Sequence, residues 1–189
     1  MKNKTDLRII KTKILLYNTL TDLLRKKSFE EIKVSDICNK ALINRSTFYS
    51  HYTDKYELLM AYINNQKNSL LTELEKNEHI INTKQYYMKL INLLLNYIEE
   101  KKDIYYDILI NNKNSIVMDM LLEVAINDVE KRIKENNKII NNIPTNIVTK
   151  FYLTGVISIL LEWLKNNKYT KKQIINYLDN LIPNDVEIN

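Results

Sequence analysis

One glycine and two prolines in 189 residues constrain this chain more than any other feature. Glycine supplies the left-handed backbone that tight hairpins and phosphate loops need, and proline presets turns. A chain so poor in both cannot supply the turns of a sandwich or barrel, nor a glycine-rich phosphate cradle, so an all-α fold is expected. The length suits one domain, or a small domain joined to a larger one, with a substantial core. A single cysteine excludes a disulfide within the chain. With no charged-apolar-small leader and no apolar run approaching about 18 residues, the expected setting is the reducing cytoplasm, away from a membrane.

The formal net charge is +5. Residues 1–57 carry twelve Lys/Arg and seven Asp/Glu, whereas residues 58–189 carry sixteen of each. The whole excess is therefore N-terminal, as expected of a polyanion-facing module on a body that needs no such partner. A net +5 over 57 residues also falls within the scatter of ordinary surfaces, so charge does not decide the matter alone.

Apolar positions recur at helical spacing along most of the chain. Leu7, Ile10, Ile14, Tyr17, Leu20 and Leu24 form one stripe and predict a first helix with those residues in the core. Residues 26–32 break the period as a connector pinned by Phe29 and Ile32. Two short helices are expected at 35–41 and 45–52. A three-residue link forces them to cross steeply, as in a helix-turn-helix. Six further helices are expected at 56–77, 83–101, 103–112, 115–136, 144–166 and 170–183, about nine in all. Residues 136–142 read as a loop, Pro144 suits a first helical turn, and Thr170 suits an N-cap.

Residues 34–59 are more specific. They read Val34-x-Asp36-Ile37-Cys38, then Ala41-x-Ile43-x-Arg45-x-Thr47-Phe48-Tyr49-x-His51-Tyr52, then Asp54-Lys55-x-x-Leu58-Leu59. This pattern resembles the helix-turn-helix of the tetracycline-repressor (TetR/AcrR) family of transcription regulators, in register over about residues 6–65. Beyond them the resemblance rests on helix order and length. It implies a three-helix DNA-binding domain over 1–54 and a helical bundle for effector binding and dimerisation over 55–189. The implied function is an effector-responsive repressor that binds a palindromic double-stranded DNA operator as a homodimer. Arg45 can read guanine bidentately and Ser46 can reach a base or a phosphate. Asn44 stands just before them. The resemblance places Thr47, Tyr49, His51 and Lys55 on or near phosphates, with Lys33 and Ser35 meeting the backbone across the groove. Leu42 departs from the family, which usually has Gly there; a left-handed Leu costs on the order of 1–2 kcal/mol. That departure keeps a rival reading open, a co-regulator of the same fold that acts through protein contacts without an operator.

In the body, the helix at 144–166 is apolar on more than one side, as an isologous interface requires. Ile159, Trp163, Ile174, Leu178 and Leu181 are its expected dimer residues. Gly155 in mid-helix costs about 1 kcal/mol against Ala, which points to a close approach there, by a helix before a ligand. Tyr62, Tyr86, Tyr97, Tyr105, Phe151 and Tyr152 are candidate walls for an unidentified small-molecule effector, although tyrosines at helical spacing also serve as core. Phe151-Tyr152-x-x-Gly155 with Trp163 resembles a subgroup of the family that regulates dihydroxyacetone-kinase operons. Ile37, Ile43, Phe48 and Tyr52 read as mini-core, and Cys38 as a small-residue filler. His79 has no partner at metal-ligand spacing. No catalytic constellation, cofactor motif or metal site is visible, so neither an enzyme nor a resident metal or cofactor is expected.

Overall fold

The computed structural model describes residues 2–76, 83–112, 115–135, 143–166 and 168–182, with side chains described except at 2–6, 75–76, 83 and 133–135. Among these, nine α-helices and one 3-10 turn occur, and no strand. They are α1 (Lys2–Leu24), the 3-10 turn (Phe29–Glu31), α2 (Val34–Ala41), α3 (Arg45–Tyr49), α4 (Lys55–Lys76), α5 (Thr83–Glu100), α6 (Lys102–Asn111), α7 (Ile116–Glu135), α8 (Thr145–Asn166) and α9 (Lys171–Leu181). The expected loop at 136–142, Pro183 and His79 lie outside the described residues.

The chain divides into two compact units. The first holds residues 1–65 together with Asp107–Met120, so the corner between α6 and α7 belongs with the N-terminal helices. Its core is formed by Leu16, Leu20, Leu24, Phe29, Ile32, Ile37, Phe48, Leu58 and Leu59, all fully buried. The stripe expected on α1 is only half right. Leu7, Ile10 and Ile14 are exposed. The reason is length: α1 is 23 residues, about 34 Å, whereas α2 and α3 are 8 and 5 residues, about 12 Å and 8 Å, too short to cover it.

Between α2 and α3 the chain turns through Leu42 at φ 55° and ψ 41°, the only left-handed residue described. The turn closes by hydrogen bonds from Leu42 N to Asn39 O (3.3 Å) and from Ile43 N to Cys38 O (3.1 Å). Those bonds satisfy carbonyls at the end of α2 that would otherwise lack donors. The strain expected from the absent glycine is therefore present.

The second unit holds residues 66–106 and 121–189. In it α9 packs on α5 and α8, burying Leu95, Trp163, Leu164, Ile174 and Leu178. Trp163 Nε1 donates to Tyr169 O at 2.9 Å, and Thr170 caps α9 by accepting from Gln173 N. Lys171 pairs with Glu99, and Lys84 with Asp179 at 3.4 Å. By length and composition α8 would also pass as a membrane-crossing helix, which a search for unbroken apolar runs does not reveal because Thr, Ser and Gly punctuate it. The same composition suits a helix that packs on two sides, and 28% of its apolar window is buried.

Candidate nucleic-acid interface

The short helix α3 presents a polar face on a buried root. Phe48 is fully buried, and Tyr49 and Tyr52 pack against its ring at centroid distances of 5.4 Å and 6.2 Å. That anchor turns Asn44, Arg45, Ser46 and Tyr49 outward, and all four are exposed. Asn44 stands at the N-cap position without capping through its side chain, which leaves the amide available. Arg45 forms no ion pair among the described residues. Thr47 is half-buried and its carbonyl accepts from Ser50 Oγ at 2.7 Å. His51 is half-buried, with its ring tilted against Tyr52. The Tyr52 hydroxyl is pushed up by burial and by its hydrogen bond with Tyr17, so it is neutral at any physiological pH.

At the start of α2, Lys33 is exposed and Ser35 half-buried. Asp36 fixes this entry: its carboxylate accepts from Lys27 Nζ at 2.7 Å and from Lys33 N at 3.1 Å. The Lys27 bond, then the Lys33 amide, holds the Asp36 carboxyl below its ordinary range, which keeps the cap charged. Burial pushes the Cys38 thiol up, so it is a filler and not a reactive thiolate.

Lys55 stands apart from the other candidates. Its ammonium donates to Phe29 O (2.9 Å), Glu30 O (3.1 Å) and Ile32 O (2.8 Å), and lies 4.7 Å from the centroid of the Phe29 ring. All three N–H donors are engaged inward, so this lysine clamps the connector and is not presented to a phosphate. Burial lowers its pKa, against the opposing charge of Glu30. The first turn of α4 is capped by its neighbours: Asp54 Oδ1 accepts from Tyr56 N and Glu57 N, and Glu57 accepts from Thr53 N and Thr53 Oγ1.

The connector is held a second time, by residues the sequence reading did not single out. Asn112 is completely buried; its Oδ1 accepts from Phe29 N at 2.8 Å, and its Nδ2 donates to Leu24 O at 3.2 Å and Ile108 O at 2.8 Å. Glu30 Oε1 accepts from Ile116 N at the start of α7, and Arg25 pairs with Asp107 at 3.1 Å. No local pattern signals these contacts, because the partners lie more than 80 residues apart.

The expected effector walls are divided between the two units. Tyr62 lies in the first unit, against the Tyr17 ring and accepting from Thr21 Oγ1. Tyr97 donates to Glu73 at 3.1 Å. Tyr86 is buried with the Arg132 guanidinium 4.0 Å over its ring, while Tyr105 and Tyr152 are half-buried. Phe151 is 72% exposed and lines nothing within the protomer. Of the expected dimer residues, Trp163, Ile174 and Leu178 belong to the protomer's own core, Ile159 is half-buried, and Leu181 is 62% exposed. No cluster of three or more His, Cys, Asp or Glu suited to a metal occurs among the described residues.

Comparison with known proteins adds likenesses over both halves of the chain. A TetR family profile described as "Transcriptional regulator C-terminal region" matches residues 85–184. The dhaKLM operon transcriptional activator DhaS of Lactococcus lactis is 30% identical over 128 residues, 64% of this chain and 64% of that protein. The HTH-type regulator YxbF of Bacillus subtilis is 38% identical over 63 residues, 33% of this chain and 17% of that protein. The matched stretches thus span less than two thirds of either relative's length. In fold, the chain is similar to a TetR transcriptional regulator from Streptococcus agalactiae, with a TM-score of 0.69, 24% identity, and coverage of 96% of this chain and 98% of that one.

Proposed function

Because the chain belongs to the TetR family of transcriptional regulators, whose members and structural neighbours are regulators and not enzymes, we propose that it binds a palindromic DNA operator as a homodimer. The carrying observation is the exposed, unpaired face of Asn44, Arg45, Ser46 and Tyr49 on a helix rooted by buried Phe48. Such a face suits the major groove: Arg45 reads a guanine edge, and hydroxyls and phenols hold phosphates. Lys33, Ser35, Thr47 and His51 complete the backbone contacts. Lys55 acts indirectly, by holding the connector that precedes α2. Residues 1–54 are the reading head and 55–189 the regulatory and dimerising part.

The second copy is supported by α8. Ile147, Phe151, Gly155, Ser158 and Glu162 follow one another at steps of three and four, and all are exposed. Among the described residues, and apart from the helix's own adjoining backbone, nothing comes within 4 Å of where a Gly155 Cβ would stand. A close approach at this glycine therefore falls to a partner's helix, with Leu181 and Tyr177 on α9 extending the surface. Effector binding is supported by two buried hydroxyls, Tyr87 and Thr149, that have no hydrogen-bond partner among the described residues. Each leaves about 1–3 kcal/mol unsatisfied, which a polar ligand group would recover. An effector in the second unit would act through α4, which starts in the first unit and continues into the second. Repression follows if the bound dimer obstructs polymerase. The relative DhaS is named as an activator, which suggests the opposite sign. The protein works in the cytoplasm on this reading.

Gel shift and footprinting against the gene's upstream region test the proposal. The expected result is salt-sensitive protection of a short two-fold site, with Arg45→Ala relaxing base preference at one position per half-site. Absence of protection at every salt concentration would favour the co-regulator reading instead.

A further inference from the structure

The positive charge of this protein is not centred on the helix-turn-helix. Residues 1–13 hold Lys2, Lys4, Arg8, Lys11 and Lys13 against Asp6 alone, a net of +4, whereas residues 14–57 net only +1. Within that later stretch four of the seven bases are already engaged. Arg25 pairs with Asp107, Lys27 with Asp36 and Lys40 with Asp22, and Lys55 is held by three carbonyls. Lys26, Lys33 and Arg45 form no ion pair among the described residues, so the reading head by itself offers few cations for a duplex.

The first half of α1 supplies what the head lacks. From Leu7 to Leu15 every residue is exposed except half-buried Thr12, yet the helix is continuous with the segment anchored by Leu16, Leu20 and Leu24. The backbone of this arm is thus pre-ordered while its side chains are largely open to solvent. Arg8, Lys11 and Lys13 form no ion pair among the described residues and are exposed. Arg8 and Lys11 are three residues apart and so share a face.

We propose that the N-terminal half of α1 is a second DNA-contacting arm, which lays Arg8 and Lys11, together on one face, on phosphates flanking the segment read by α3. The proposal rests on the operator-binding reading and extends its footprint beyond the recognition helix. The arm binds without reading sequence, since ammonium and guanidinium groups on phosphates carry no base information. Leu7, Ile10 and Ile14 form an apolar row beside these bases, which would also suit pairing with a second copy. Two arms of net +4 repel each other, however, and a polyanion relieves that repulsion.

The test compares the full-length protein with the double variant Arg8→Gln/Lys11→Gln on the same footprinted duplex, over a range of salt concentrations. Circular dichroism and light scattering confirm equal folding and equal mass. The variant should bind on the order of 10-fold more weakly at 0.15 M salt, and its log-affinity against log-salt slope should flatten by up to about 1.8, at about 0.9 per lost phosphate contact. Base preference should be unchanged. Trimming the duplex to the α3-protected core should bring the wild-type affinity down to that of the variant. Equal affinity and equal slope would overturn the arm while leaving the operator reading intact. A fall in oligomeric mass would overturn it in favour of self-association through α1. Failure of the wild-type protein to protect any site would overturn both readings together.

Discussion

Lys55 carries a positive charge beside a segment shaped for a polyanion, yet its ammonium faces inward onto three carbonyls. Charge-assisted bonds of this kind contribute more than neutral ones, and removing the lysine strands acceptors at a part-buried turn. Lys55→Ala is expected to lower unfolding free energy by about 2 kcal/mol in urea titrations, and to weaken DNA binding through stability without changing the salt slope. Leu42 is the opposite case, a residue whose removal should help. It is left-handed and 91% exposed, so its side chain contributes almost no burial to offset its backbone cost. Leu42→Gly is expected to raise the thermal midpoint, by a stability gain of about 1 kcal/mol, with the footprint unchanged. The strain at Leu42 was legible in the sequence because a turn position fixes its own backbone. The engagement of Lys55 was not, because its acceptors are set by how the connector folds back, 23 to 26 residues away.

Most helices were legible to within a residue or two, since an amphipathic period survives even a composition rich in Asn, Ile and Lys, but α1 begins five residues before its apolar stripe and α3 ends at Tyr49, three residues short of its expected end. What periodicity cannot say is which partner covers a stripe. On α1 the same row of aliphatics is core at Leu20 and Leu24 and solvent-facing at Leu7, Ile10 and Ile14, because α2 and α3 run out of length. On α8 two apolar faces were recognised, but Trp163, expected at a dimer interface, is buried in the chain's own core, and Phe151, expected to wall an effector site, is 72% exposed. The two faces predict different phenotypes. Phe151→Asp should leave the thermal unfolding of the protomer little changed and shift the mass in light scattering from dimer to monomer. Leu178→Ala should instead cost about 2–5 kcal/mol of stability at any oligomeric state, as a core truncation does.

At the scale of the whole molecule, a basic first third and a neutral remainder implied a division between reading and regulation, and the family profile matches residues 85–184, within the neutral part. The grouping of residues is less linear than that division. Residues 107–120 sit with the N-terminal helices, tied there by Asn112, Glu30 and Arg25. A fragment ending at residue 65 would lack Asn112, Ile116 and Asp107, the partners of Phe29, Glu30 and Arg25. It should show lower helicity and faster amide exchange at Phe29 than the intact chain, and addition of a peptide spanning 107–120 should restore part of both.

Asn112 has a consequence for how this protein can be made and remade. During synthesis at about 5–20 residues per second, Phe29 leaves the ribosome several seconds or more before the amide oxygen that will accept its N–H. The N-terminal unit therefore matures late, only after residues 107–120 have been translated. For the same reason it is not an interchangeable cartridge: a chimera that grafts another regulator's first 60 residues onto this body must bring that regulator's α6–α7 corner as well, or match its polar groups to Asn112.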